Sequence, residues 1–464
     1  MNNRILAVVL VGVATLLSTE AGAAARAPLT VAPYFTNSMV LQQGRPVPVW
    51  GTATANSTIT LSFQNPLTMQ SLKTTAASTG KWRGDFTTPL AATNLPGTLT
   101  VSDGTTTVPF TDVVVGDVWV LSGQSNINVM LKDCVGGTQA ISESGAYPNI
   151  RLYLVPQTGS LTEQWKPSKD TNTPTWSGVG FFFARAFHNL LLDHQLNTIP
   201  IGLIQVAKNG TPIADWTTSG GSNNGRLYLA KIKPLQPFAI RGVIWYQGED
   251  DGSRESSALK YKEMLPALID NWRTNWGQGA FPFNFVQLAL ISGRPTWAIL
   301  RNAQVSTLDV RPTNTAMACI IDVPTLPPSD IHPKNKEPVG ERLALAAIAQ
   351  SYPHLNVVAA GPIRNKSLSF VSYKSIVVKF DHADGGLMLD AGDAPSPFLI
   401  AGANGIYYPA TATFSTDDPD TVIVSNPDVV PEPRSVRYCW DSYPLCNLFN
   451  GFGLPASPFQ MTLP

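Results

Sequence analysis

Along the chain, apolar and polar positions alternate in three different rhythms. From about residue 30 to 110 the pattern is one of short alternating runs, such as Thr58-Ile-Thr-Leu-Ser-Phe63 and Thr98-Leu-Thr-Val101, separated by Gly, Pro, Asn and Asp. Alternation with period two marks strands that bury one face, so this stretch reads as a small β-sandwich. Near residue 112 the rhythm changes to almost unbroken apolar runs at Val113 to Leu121, Pro200 to Val206, Ile240 to Tyr246, Phe281 to Ile291 and Ala316 to Val323. Strands apolar on both sides belong in a sheet covered on both faces. Helical periodicity predicts helices between and after them over Gly180–Gln195, Ser256–Trp276, Trp297–Leu308 and Glu337–Tyr352. Strand and helix in alternation imply a parallel α/β/α sheet. Past about residue 355 short alternating strands return, as in Ser375-Ile-Val-Val-Lys-Phe380 and Thr421-Val-Ile-Val424, with Gly-Gly, Asp-Asp-Pro and Asn-Pro turns between them. The expected organisation is a β region over 27–111, an α/β core over 112–354 and a second β region over 355–464, with no internal repeat. Two β modules, or one sandwich built from both ends of the chain, fit this pattern equally.

The first residues add a destination. Arg4 precedes an apolar run from Ile5 to Leu17, and small residues follow at Ala21, Ala23, Ala24 and Ala25. This is the grammar of a signal peptide over 1–25, so the chain is expected to be exported, periplasmic or extracellular, with no membrane association after cleavage. Charge removes one class of partner: 32 basic residues balance 32 acidic ones. With no Lys/Arg cluster to track phosphates, nucleic acid is not expected. Four cysteines, Cys134, Cys319, Cys439 and Cys446, show no C-x-x-C spacing, so zinc and cofactors are not expected. Cys439 and Cys446 flank Pro444 closely enough to bridge or to stay as two thiols, while Cys319 reads as a buried thiol. Oligomeric state is not encoded in any of these features.

Candidate chemistry collects at strand ends. The run Val118-Trp-Val-Leu121 leads directly into Ser122-Gly-Gln-Ser-Asn126, which puts Ser125 in the turn at the carboxyl end of a buried strand. Open α/β sheets bind ligands there. A serine is nucleophilic only beside a base and oxyanion donors. Of the five histidines, His188 and His194 fall on a helix and His354 and His382 in polar β or turn context, leaving His332 in a loop after a core strand. Asp330, two residues earlier in Pro328-Ser-Asp-Ile-His-Pro333, is placed to hold one ring nitrogen. Two more segments end buried strands, Lys208-Asn-Gly-Thr-Pro212 and Gln247-Gly-Glu249. Gly210 permits close backbone approach, so its N–H and that of Ser125 are oxyanion donors, with the Gln247 amide as a third. Taken singly these motifs also read as a plain turn, a capped helix entry and, for Glu249, a structural polar network. Their convergence on one sheet edge favours a site.

These residues resemble the sialate O-acetylesterase-like carbohydrate esterases, a branch of the SGNH hydrolase superfamily. The resemblance runs from Gly116-Asp-Val-Trp-Val-Leu-Ser-Gly-Gln-Ser-Asn126 through Ile201-Gly-Leu-Ile204, Gly210-Thr-Pro-Ile213, Gly242-Val-Ile-Trp-Tyr-Gln-Gly-Glu249 and Asp330-Ile-His-Pro333 to Val436-Arg-Tyr438 and Gly453-Leu-Pro-Ala-Ser-Pro-Phe459. It implies a flavodoxin-like three-layer α/β/α SGNH core with β-sandwich-like accessory regions at both ends, and acetyl ester hydrolysis without a metal. By position, Ser125 matches the nucleophile, His332 the base and Gly210 the oxyanion glycine, while Gln247 stands where the superfamily uses asparagine. Three positions depart from the pattern: Asn209 replaces a glycine, Ile127 replaces a methionine, and Ser329 occupies the usual acidic position with Asp330 one residue closer to the histidine. The partner of His332 is therefore Asp330, a backbone carbonyl or a more distant carboxylate.

The expected activity is removal of O-acetyl groups from a carbohydrate through an acetyl-enzyme, the sugar being a sialic acid or an acetylated hemicellulose. Asn126, Trp216 and Glu249 are assigned to the substrate side, and Trp216 and Trp176 are either sugar platforms or buried tryptophans. Two other classes compete. A carbohydrate-binding protein with an inactive core would not need the intact serine and histidine, and a lipase-like enzyme would carry the G-x-S-x-G elbow that Ser125 lacks.

Overall fold

The structure, a computed structural model, describes residues 27–463 except 159–162, 197–198, 219–224, 393 and 429–431. The predicted signal peptide lies outside the described residues. Among those described, no helix is long and apolar enough to cross a membrane.

The core begins with one long strand, β1 (Thr107–Gly123), which leads into the short helix α1 (Ser125–Asn128). After it come β2 (Ile150–Leu154), α2 (Gly178–Asp193), β3 (Ile201–Ala207), β4 (Gly242–Tyr246), α3 (Glu255–Trp276), β5 (Phe283–Val286), α4 (Trp297–Val310), β6 (Thr315–Ala318) and α5 (Glu337–Ser351). Their order across the sheet is β2-β3-β1-β4-β5-β6, all parallel. The four long helices begin and end within two residues of the positions their periodicity predicts. Local signals fix the ends: the Ser177 hydroxyl caps α2 by accepting from Gly180 N at 3.0 Å, and α3 stops at Gly277 with φ +67°.

Register decides which helix covers which face. Trp119 on β1 lies opposite Gly242, whereas Trp245 lies opposite Ser122, so the two tryptophans point to opposite sides of the sheet. Trp119 packs on Phe183 and Phe187 of α2 at 5.4 and 5.8 Å, and Trp245 packs on Trp272 of α3 at 5.8 Å. Helix α5 lies along α2 and α4 along α3, so both faces are covered and the central strands β3 and β4 are buried along their whole length.

Two predicted strands are shorter than their apolar runs. The runs over 281–291 and 316–323 form ladders only at Phe283–Val286 and Thr315–Ala318, although the residues that follow stay buried. At Leu288 and Ala289, just beyond β5, the backbone is satisfied by side chains of α4 instead of a neighbouring strand. Leu288 N donates to Gln304 Oε1 at 2.9 Å, Trp297 Nε1 to Ala289 O at 2.9 Å and Arg301 Nε to Leu288 O at 2.8 Å. Burial alone cannot distinguish a ladder from a backbone held by side chains, which is why hydropathy extends these strands too far.

Before the core, two small antiparallel sheets face each other. One pairs Val47–Thr52 with Thr30–Val31 and Lys81–Phe86; the other pairs Thr58–Asn65 with Thr68–Thr75 and Thr93–Ser102. Thr93–Ser102 also pairs with the first half of β1, so a single strand carries the chain from this region into the core. After the core, an antiparallel sheet runs from Ile363–Arg364 through Ser375–Asp381, Thr421–Ser425, Tyr407–Phe414, Phe398–Gly402 and Pro433–Tyr438 to Phe459–Thr462. Among the described residues no strand of one β region pairs with the other. Cys439 and Cys446 are bridged, and Cys134 and Cys319 are buried free thiols.

Candidate active site

β1 ends because Gly123 adopts φ +129°, where a Cβ would strike the Tyr246 carbonyl on neighbouring β4. The chain turns there, and two backbone bonds hold the turn between its neighbours. Gln124 N donates to Tyr246 O at 3.0 Å, and Lys208 N, just after β3, donates to Gly123 O at 3.1 Å. Ser125 is thereby presented, half-buried, at the first position of α1.

The loop between β6 and α5 brings His332 to it, Nε2 lying 2.7 Å from Ser125 Oγ. Asp330 Oδ1 accepts from the His332 backbone N–H at 2.9 Å and lies 3.5 Å from Nδ1 of the ring. One carboxylate oxygen thus shapes the loop and faces the nitrogen that must carry the proton if Nε2 is to accept from serine. Burial, followed by the positive charge of Lys336, lowers the His332 pKa below its ordinary value against the raising effect of Asp330. A neutral imidazole is what a general base requires.

Gly210 sits in the exposed turn after β3 with φ +60° and open space around the position of a side chain. The backbone conformation, not crowding, is what calls for glycine there. Asn209, the departure from the family pattern, accepts from Asn128 Nδ2 at 2.7 Å, and Asn128 Oδ1 accepts from Gln205 Nε2 at 2.9 Å. This chain ties the Gly210 turn to α1, three residues past Ser125. The buried Gln205 in an otherwise apolar strand was the signal for it.

Gln247, Trp216, Asn126 and Glu249 take structural places instead of the oxyanion and substrate roles expected of them. Gln247 is fully buried and its amide protons are engaged: Nε2 donates to Thr211 O at 3.1 Å and to Asp251 Oδ2 at 2.6 Å, while Oε1 accepts from Tyr261 at 2.9 Å. It supports the Gly210 turn from beneath and offers no free donor to an oxyanion. Trp216 is also fully buried, edge-on to Trp245 at 5.8 Å, with Nε1 donating to Thr211 Oγ1 at 3.1 Å; it props the same turn and cannot stack on a sugar. Trp176 is buried as well. Asn126 and Glu249 are buried and bonded to each other, so neither reaches substrate. Gln247→Leu is accordingly expected to lower stability by about 2 kcal/mol, because Thr211 O and Asp251 lose a buried donor; an unchanged denaturation midpoint together with reduced turnover would return Gln247 to the oxyanion.

A cavity of about 310 Å³ opens between the Gly210 and Glu249 loops, lined among others by Pro212, Ala214, Asp250, Asp251, Arg254 and Lys260. Its floor includes Asp251, whose carboxyl is pushed up to about 6 by burial. Asp250 N donates to Gln124 Oε1 at 3.4 Å, which couples this rim to the serine turn. The charged residues of the rim have no periodic pattern, and only the folding of two loops assembles them. Among the described residues no group of His, Cys, Asp and Glu is arranged to hold a metal ion.

A parallel sheet of this order gathers the serine and histidine motifs at its carboxyl edge, and comparison with known proteins gives the class, a hydrolase of the carbohydrate esterases. A family model described as "Carbohydrate esterase, sialic acid-specific acetylesterase" matches residues 115–349, just over half of the chain. The solved structure of a carbohydrate acetylesterase from Xanthomonas citri is similar with a TM-score of 0.82 and 34% identity, covering 93% of this chain and 99% of that one. Sialate O-acetylesterases are similar over nearly the whole length: that of Pongo abelii is 27% identical over 92% of this chain and 91% of its own, and that of Homo sapiens 26% identical over the same shares. The chain belongs to this carbohydrate esterase family.

Proposed function

We propose that this protein is an exported serine esterase that removes O-acetyl groups from carbohydrate. The observation that carries the reading is the 2.7 Å contact between His332 Nε2 and Ser125 Oγ, with Asp330 beside Nδ1. In this reading His332 accepts the Ser125 proton as Oγ attacks the acetyl carbonyl, and the N–H groups of Ser125 and Gly210 stabilise the oxyanion. His332 then returns the proton to the departing sugar oxygen. Water deprotonated by His332 attacks the acetyl-enzyme, releasing acetate and restoring the serine. The reaction needs no cofactor.

The fold reading that goes with it is a flavodoxin-like three-layer SGNH core. Without β2 the sheet order is that of doubly wound α/β proteins, second, first, third, fourth, fifth. The accessory regions over 27–111 and 355–464 are read as β-sandwich-like, and export is read from the first 25 residues. The acetyl group is assigned to Ser125 and His332, neither of which lines the cavity; Arg254 and Lys260 of that cavity, which the bond from Asp250 N to Gln124 joins to the serine turn, suit a carboxylate further along the sugar. The names of the curated relatives point the same way, to an O-acetylated sialic acid.

Two measurements test these assignments. A fluorophosphonate should form a covalent adduct on Ser125, and a protein that merely binds sugar would leave it unlabelled. Acetate release should be faster from acetylated sialosides than from acetylated hemicellulose oligosaccharides; the opposite ranking would reassign the substrate, and greater activity on long-chain esters would reassign the enzyme.

A further inference from the structure

Beneath the serine and histidine lies a buried cluster that the reaction as written does not use. Lys336, at the end of the His332 loop, is fully buried, enclosed near Cys134, Gly178 and the ring of Tyr246, with Nζ 5.1 Å from that ring's centre. Its ammonium donates to Asn126 Oδ1. On the other side of the same amide, Asn126 Nδ2 donates to Glu249 Oε1, and also to Ile331 O at 3.1 Å. The second oxygen of Glu249 is buried with no hydrogen-bond partner among the described residues.

The chemistry of the two charged groups fixes the orientation of the amide between them. An ammonium only donates and a carboxylate only accepts, so the carbonyl end of Asn126 must face Lys336 and its NH2 end Glu249. Flipping the amide would put donor against donor and acceptor against acceptor. With one N–H committed to Glu249, the other is aimed at the Ile331 carbonyl. Asn126 follows the nucleophile directly, and Ile331 directly precedes the base. The bond between them therefore spans the same gap as the Ser125–His332 contact, one residue removed on each side.

We infer that Lys336 and Glu249 form an ion pair bridged by the Asn126 amide, that Lys336 is a positioning residue, and that the pair clamps the His332 loop to the nucleophile helix at catalytic distance. The inference rests on the esterase reading above and deepens it. Burial pushes Glu249 up and Lys336 down, and each charge counters the shift of the other. The titratable groups facing His332 are Lys336, Asp330 and Lys334, and those facing Lys336 are Glu249, from the loop after β4, Lys334, Asp330 and the thiol of Cys134, which burial keeps neutral. Lys336 therefore has a second effect, since its cation disfavours the imidazolium.

The test is the pH profile of acetyl ester hydrolysis in Lys336→Met, Lys336→Arg and the double variant Lys336→Met/Glu249→Gln. A misplaced base costs on the order of 10²-fold, so Lys336→Met should lower kcat by that amount with KM little changed. Its acid limb in kcat/KM should move to higher pH, because the cation that holds the His332 pKa down is gone. The double variant buries no unpaired charge and should fold. It should show the same shifted limb and a loss no larger than that of Lys336→Met, whereas Lys336→Arg, which keeps the cation, should retain the original limb. A folded double variant with the original kcat and acid limb, or a Met variant that loses activity with no change in the limb, would overturn the inference. Ser125→Ala tells the two levels apart: retained activity there overturns the esterase reading itself, while loss there beside unaffected Lys336 variants overturns only the clamp.

Discussion

Replacement of Ser125 by alanine is expected to lower kcat/KM for an acetyl ester by at least about 10⁴-fold, and His332→Ala by a similar amount, because nucleophile and base act as one unit. The losses should not multiply: the double variant should be about as slow as either single one. The 2.7 Å separation of Nε2 and Oγ motivates this, since the proton can pass without rearrangement. The same geometry predicts the pH profile. The proposed mechanism requires neutral His332, and burial and Lys336 hold its pKa below the ordinary 6.5. Activity should thus persist as the pH falls through 6.5 and decline only below it. Acetate release measured for the three variants, and across pH for the parent, checks both expectations; undiminished turnover in either single variant would remove that residue from the mechanism.

The second large effect is on stability. Arg301 of α4 is fully buried among backbone carbonyls and donates to Leu288 O, Ala289 O, Asp441 O and Ser442 O at 2.8, 2.5, 2.9 and 3.1 Å. Burial pushes its pKa down to about 9, which still leaves it protonated at neutral pH. It holds the segment that continues β5 without a ladder, and it fastens to the core the loop closed by the Cys439–Cys446 bridge. Arg301→Met keeps the bulk and removes every donor, so a loss of about 3 kcal/mol or more is expected, at about 1–3 kcal/mol for each buried carbonyl left without a partner. Chemical denaturation of the variant reads this directly. A midpoint equal to that of the parent would mean that water or a shifted backbone replaces those bonds.

The unpredicted role of Arg301 shows where sequence reading stops. A lone arginine in a helical pattern looks like a solvent-facing residue, and only the packing of α4 over 288–291 turns it inward. The over-long predicted strands have the same origin. Hydropathy reports burial, whereas a strand also needs a partner strand in register.

What the sequence by itself determined is everything that follows from local periodicity and from strand ends. The α/β core, the four long helices and the placement of Ser125, Gly210, Gln247 and His332 beyond buried strands are all encoded within short windows, and parallel crossover topology sends all such ends to one edge of the sheet. The tertiary structure alone decided what each side chain faces. Gln247 and Trp216 are turned beneath the Gly210 loop instead of into the site, and Asn126 and Glu249 are turned toward Lys336 instead of toward a sugar. For Asn126, Glu249 and Lys336 those directions are set by partners 123 to 210 residues away in the chain, and for Gln247 by Thr211, 36 residues away, together with Asp251 and Tyr261, 4 and 14 residues away. A buried polar group takes whichever partner the fold brings within about 3 Å, because leaving it unpaired costs more than any local preference can supply.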